Sequence, residues 1–218
     1  MGKKNLSSIG EDDQFRRILD ELTELKTMKC DIKNITDLME NMLKDNNKKM
    51  MKLESEMHDI QQYLRINNLI IDGIPMKKDE DCVQLVIKLA KLMNVDCKEM
   101  DIDVAHRLQK KGKVIHPSLI VKLVRRTVKM DFLRQRSQLK SIKSTAFGEG
   151  KETNIYINEH LSQYNQGILY EIRKLKEERL VQSYWTRDGK IFIRRDEDGK
   201  AIKVVTLNDL EAIKLGPE

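Results

Sequence analysis

Between Phe15 and Leu64 the chain keeps a beat of alternating three- and four-residue steps. It runs through Phe15, Ile18, Leu22, Leu25, Lys29, Ile32, Thr36, Met39, Leu43, Asn46, Met50, Leu53, Met57, Ile60 and Leu64. Twelve of these fifteen positions are apolar, the residues between them are mostly Lys, Glu, Asp and Asn, and no Pro or Gly interrupts. A 3.5-residue period makes a narrow seam that supercoils with a partner helix, whereas a helix lying on a domain carries a wider stripe that drifts at 3.6. The pattern predicts a coiled coil over 11–65, following a disordered stretch at 1–10. Its oligomerisation residues are Leu22, Leu25, Ile32, Met39, Leu43, Asn46, Met50, Leu53, Met57 and Ile60. Lys29, Thr36 and Asn46 weaken the middle of the seam and help to fix register. Nothing in the sequence provides an antiparallel return, so a parallel homo-oligomer is expected, and the seam composition leaves dimer and trimer open.

After Leu64 the period changes. The run at 66–72 reads as a strand, ended by Gly73, which permits a tight turn, and by Pro75, which disfavours helix at Ile74. The next segment is helical: Asp79 can cap it, Glu80 and Asp81 suit its positive N-terminus, and Val83, Val86, Ile87, Ala90 and Met93 form an apolar face widened by Leu85, Leu89 and Leu92. DVAHRL and SLIVKLV read as short strands separated by the polar QKKGKVIHP. A helix follows in RRTVKMDFLRQRSQLKSIK, with Val128, Phe132, Leu139 and Ile142 aligned, and TNIYIN is again a strand. The order strand, helix, strand, strand, helix, strand over 66–158 folds as a ferredoxin-type βαββαβ sandwich, the fold of RNA-recognition (RRM-like) modules.

The remaining segment, 159–218, reads as a small α/β unit. INEHLSQYNQGILYEIRKLKEERL is a helix with the stripe Ile168, Leu169, Ile172 and Leu175. Two or three strands follow, with turn signals at Arg187-Asp188-Gly189 and at Asp196-Glu197-Asp198-Gly199, and a short helix closes the chain. The whole is therefore α+β: an N-terminal parallel coiled coil, an RRM-like domain and a small C-terminal α/β domain.

Charge sharpens this picture. Between 104 and 147 stand twelve Lys or Arg and a single acid, Asp131. A field of one sign suggests a polyanionic partner, against the plainer reading of a solvated face. In the second helix of the RRM-like domain Lys129, Arg136, Lys140 and Lys143 are spaced to share one face, Arg125 and Arg126 precede it, and Arg107, Lys110, Lys111 and Lys113 come from the strand-connecting loop. The aromatic residues that such modules use for stacking are missing from SLIVKLV, and Tyr156 stands alone in the last strand. In the C-terminal unit Tyr184, Trp185 and Phe192 sit among Arg187, Lys190, Arg194 and Arg195, a composition suited to stacking bases and holding phosphates. The unit has little else large to bury, which favours Trp185 as core.

Catalysis finds no support: there is no Gly-rich phosphate loop and no nucleophile elbow, and Asp101 with Asp103 is too weak a pair to carry a site. Cys30, Cys82 and Cys97 make no metal-binding spacing with the four histidines, so no metal or cofactor is expected. The absence of a signal peptide and of any membrane-spanning run predicts a soluble intracellular protein of the cytoplasm, the nucleus or both.

NNLIIDGIP, DVAHRL, PSLIVKLV, NIYINEHLSQYNQGILYEIRKLK and WTRDGKIFIRRDE, in that order over about 60–213, resemble the baculovirus few-polyhedra (FP) protein family. They also resemble the first-open-reading-frame proteins of insect LINE-type retrotransposons. The resemblance implies a non-enzymatic protein. The retrotransposon relatives form coiled-coil trimers that coat single-stranded RNA, so a trimer is favoured over a dimer, and the viral relatives influence nucleocapsid egress and envelopment. Carried over to this chain, the RNA-binding positions are the basic residues around Arg125 and Arg126, together with Arg194 and Arg195. The expected partners are thus nucleic acid, single-stranded RNA first, further copies of the chain, and viral structural proteins. The alternative is an assembly or egress scaffold whose basic face docks acidic proteins.

Overall fold

The computed structural model describes residues 8–109, 116–149 and 151–214. Lys110, Lys111 and Lys113 lie outside the described residues, as does 1–7 of the expected disordered N-terminus. The chain divides into two units, Met1–Glu56 and Met57–Glu218.

A single uninterrupted helix, α1 (Ser8–Tyr63), supplies all the described structure of the first unit. Its apolar seam is open to solvent: Leu22 is 49% exposed, Leu43 59% and Leu53 64%. Helical stability in proteins comes chiefly from packing an apolar face, and the seam of α1 packs against nothing among the described residues of this chain.

The second unit is mixed helix and antiparallel sheet. Its first part runs β1 (Asn68–Asp72), α2 (Cys82–Leu92), β2 (Ile102–Arg107), β3 (Leu119–Leu123), α3 (Arg126–Arg134) and β4 (Tyr156–Glu159). These strands form one antiparallel sheet of order β2-β3-β1-β4. Period-two alternation decides which face is buried: Leu69, Ile71, Leu119, Val121, Leu123 and Ile157 point inward against Val86, Leu89, Ala90 and Met93 of α2 and Val128 and Phe132 of α3. Each of these side chains larger than Ala90 contributes about 1.5–3 kcal/mol by leaving water. The cap of α2 is Asp81 rather than Asp79: its carboxylate accepts from the amides of Val83 and Gln84, while Asp79 takes a left-handed turn position at φ 55°. Gly73 sits at φ 89°, and a Cβ there would run into the Asn154 carbonyl, so the turn ending β1 needs glycine.

The helix expected to continue to Lys143 does not. α3 stops at Arg134 and gives way to 3₁₀ turns at Gln135–Lys140 and Ser144–Ala146. With the rise and rotation per residue changed, Lys129, Arg136, Lys140 and Lys143 no longer share one helical face.

The second part runs α4 (Gln163–Glu177), β5 (Ser183–Arg187), β6 (Lys190–Arg194), β7 (Ile202–Val204) and α5 (Leu207–Lys214), with the strands in one antiparallel sheet. The helix that the pattern began at Ile157 starts instead after Ser162, whose hydroxyl accepts from the Asn165 amide; 157–159 belong to β4. Ile168, Ile172 and Leu175 of α4, Ile191 and Ile193 of β6, and Leu210 and Ile213 of α5 close a second core.

Candidate nucleic-acid interface

Several cations expected on the surface are committed inside the fold. Lys129 is the clearest correction. Its side chain is 1% exposed, and its ammonium donates to Glu159 at 2.8 Å and to the Ile66 carbonyl at 2.6 Å. Arg107 is the second. It ends β2 rather than lying in the loop, its side chain is 9% exposed, and its guanidinium bonds both carboxylate oxygens of Glu80 and the carbonyls of Ile74, Pro75 and Pro117. That pairing holds the Glu80 carboxyl below the usual glutamate range. Neither group can reach a phosphate without abandoning a buried partner.

Arg125 and Arg126 are exposed but paired. Arg125 meets Asp101 at 2.6 Å, and Asp101, itself buried, is held below the usual aspartate range first by the Lys98 amide and then by Arg125. Arg126 meets Asp188 of the β5–β6 turn at 2.6 Å and lowers that carboxyl in turn. Lys143 donates to the Asn154 side chain at 2.7 Å. Arg136 and Lys140 remain exposed. Arg195 reaches back to the Ala212 carbonyl of α5 at 3.2 Å, so it ties β6 to α5 rather than facing outward with Arg194.

The outer face of the C-terminal sheet, where Trp185 and Phe192 are half-buried, draws the remaining pieces together. Asp188 and Gly189 both take positive φ, 55° and 71°, as a two-residue hairpin between β5 and β6 requires. The register then sets Trp185 opposite Phe192, Ser183 opposite Arg194, Arg187 opposite Lys190, and Phe192 opposite Lys203. Ile191 and Ile193 point into the core, so these residues all lie on the other face. The expectation that Trp185 is core is therefore overturned by strand parity. The Trp185 and Phe192 rings lie 13° from parallel with centroids 5.8 Å apart. The Arg194 guanidinium stands 5.5 Å over Trp185 and that of Arg187 5.4 Å over Phe192.

Trp185 also borders a cleft of about 830 Å³, lined from the open face of the first sheet by Ile70 and Asn158 and elsewhere by Arg136, His160, Tyr170 and Arg173. Burial, and then Arg65, pushes the His160 imidazole below its usual pKa. Tyr170 and Arg173, which went unread in the sequence, sit three apart on α4 away from the Ile168–Ile172 stripe, and a helical wheel could have found them.

Residues 162–214, which span α4 to α5, match the family model Baculovirus FP protein domain 2. The match supports the baculovirus FP family. The FP domain 2 segment contains the whole Trp185–Phe192 face, and the retrotransposon relation has no counterpart in this match. No curated protein matches the chain. No described helix is long and apolar enough to cross a membrane.

Proposed function

We propose that this chain is a non-enzymatic nucleic-acid-binding protein of the FP type, preferring single-stranded RNA and assembling through α1 as a parallel coiled coil, with a trimer favoured. The four-stranded unit of order β2-β3-β1-β4 is read as an RRM-like module, and the protein as a component of viral nucleocapsid or ribonucleoprotein assembly. The observation that carries the reading is the Trp185–Phe192 pair, half-buried and flanked by Arg187 and Arg194 on the outer face of the C-terminal sheet. Flat rings beside guanidinium groups suit unstacked bases and their phosphates, and a duplex hides its base faces from such a surface. The adjoining cleft, within the range of small-ligand pockets, gives a splayed nucleotide somewhere to go.

Trp185 is the single tryptophan of the chain, so its fluorescence reports on this face alone. Titrating the full chain with single-stranded RNA is expected to quench that emission, and duplex DNA of equal length to quench it much less. Unchanged emission under saturating RNA would refute the placement. Absence of RNA binding, with capture of acidic protein partners instead, would favour a scaffold.

A further inference from the structure

The seam of α1 has a rival column beside it, and the two columns carry different charge partners. Met28, Ile35 and Met42 are 58%, 57% and 57% exposed and recur every seven residues, each one position before a residue of the three-four seam: Lys29, Thr36 and Leu43. Combined with Leu25, Ile32 and Met39, they make a second unbroken three-four series: Leu25, Met28, Ile32, Ile35, Met39, Met42. All six of its members are apolar, whereas over the same stretch the first seam must bury Lys29 and Thr36. At about 100° per residue the second column lies about 50° around the helix from the first.

Flanking charges separate the two frames. In a parallel coiled coil the residue just before each first core position of the heptad meets, on the next helix, the residue five places further on. In the first frame this rule pairs Glu21 with Lys26 near one end and Lys49 with Glu54 near the other, both attractive. In the middle, however, it sets Met28 against Lys33 and Ile35 against Glu40. In the second frame Lys29 leaves the core and meets Glu24 of the neighbour, while Leu38 meets Leu43. The first frame thus has opposite charges toward its two ends and none across its middle, where the second frame supplies Glu24 with Lys29.

We propose that the interface between copies of this chain changes column along α1: the ends pack through the first seam, and the section from Leu25 to Met42 packs through Met28, Ile35 and Met42. The occupant is a second copy in parallel, because the Glu21–Lys26, Glu24–Lys29 and Lys49–Glu54 pairs all follow the parallel rule. The change needs two consecutive three-residue steps at Leu22-Leu25-Met28 and two four-residue steps at Met42-Asn46-Met50, which overwind and then unwind the supercoil with no net loss of phase. α1 stays continuous through both points. The inference rests on the coiled-coil assembly proposed above.

Site-directed disulfide trapping in the full chain tests it. Two variants, Met28→Cys and Lys29→Cys, are each made on a Cys30→Ser background and oxidised mildly. The predicted result is efficient cross-linking of chains through residue 28 and at least several-fold less through residue 29. The reverse order, or equal yields, overturns the column change. As a second readout, Met28→Gln/Ile35→Gln/Met42→Gln is expected to raise the concentration at which the oligomer dissociates by roughly tenfold or more. An unchanged dissociation midpoint also overturns it. A wild-type chain that is monomeric by light scattering would instead defeat the coiled-coil reading itself.

Discussion

Lys129 and Glu159 form an ion pair at 2.8 Å with both side chains almost wholly out of water, 1% and 2% exposed. Each has further partners. The ammonium donates to the carbonyl of Ile66, just before β1, and the carboxylate accepts from the amide of Gly189 in the β5–β6 turn. One pair therefore joins the start of the first sheet, α3, β4 and the C-terminal hairpin.

Removing one partner strands the other. Lys129→Met and Glu159→Leu are each expected to destabilise the second unit by about 3–5 kcal/mol in urea denaturation. Lys129→Met/Glu159→Leu should recover most of that loss. Additive single effects would show that the two groups act independently.

Arg107 predicts differently. Its fork meets both oxygens of Glu80 while satisfying three carbonyls, so an ammonium cannot replace it. Arg107→Lys should lower the unfolding midpoint nearly as far as Arg107→Ala, and neither should change the salt slope of RNA binding. A loss of RNA affinity without loss of stability would return Arg107 to the binding surface.

Acidification should weaken the fold in two stages. The His160 pKa is lowered from 6.5, and Asn68 Nδ2 lies 3.2 Å from its Nδ1, a contact that suits a neutral ring accepting there. The unfolded chain therefore takes up this proton first, and stability falls as pH drops below about 6.5. Glu80, Asp101, Asp188 and Asp209 are all lowered, so their contribution is intact above the ordinary carboxylate range and is lost as pH falls through it toward their folded values. His160→Asn should abolish the first stage and spare the second, as followed by urea midpoints across pH.

Trp185 lies outside the core, so Trp185→Ala should leave the thermal midpoint within a few degrees while costing about 1–3 kcal/mol of single-strand affinity. Arg194→Ala should reduce the salt slope by about 1, as expected for a phosphate contact. A large drop in melting temperature for Trp185→Ala would mean that the ring is structural after all.

Much of the fold was legible in local patterns. Alternation in NLIID and LIVKL and the period of α2 fixed which residues face inward, because one-sided burial leaves little freedom of register. The candidate site was less legible, for a physical reason. The fates of Lys129 and Arg107 depend on acids 30 and 27 residues away, which no spacing rule connects. The position of Phe192, by contrast, was available: it stands between Ile191 and Ile193, and two buried isoleucines force the ring between them onto the other face. Composition argued for burying the large aromatics, and strand parity prevailed.

Whether the Trp185–Phe192 face holds nucleic acid is decided by single-stranded RNA binding of the full chain and of Trp185→Ala across a salt series, beside a duplex DNA of equal length. The expected result is affinity that falls log-linearly with salt, a preference for the single strand, and a weaker variant whose salt slope matches that of the wild type. A wild-type chain that fails to bind at low salt, or a Trp185→Ala chain that binds as the wild type does, would contradict it.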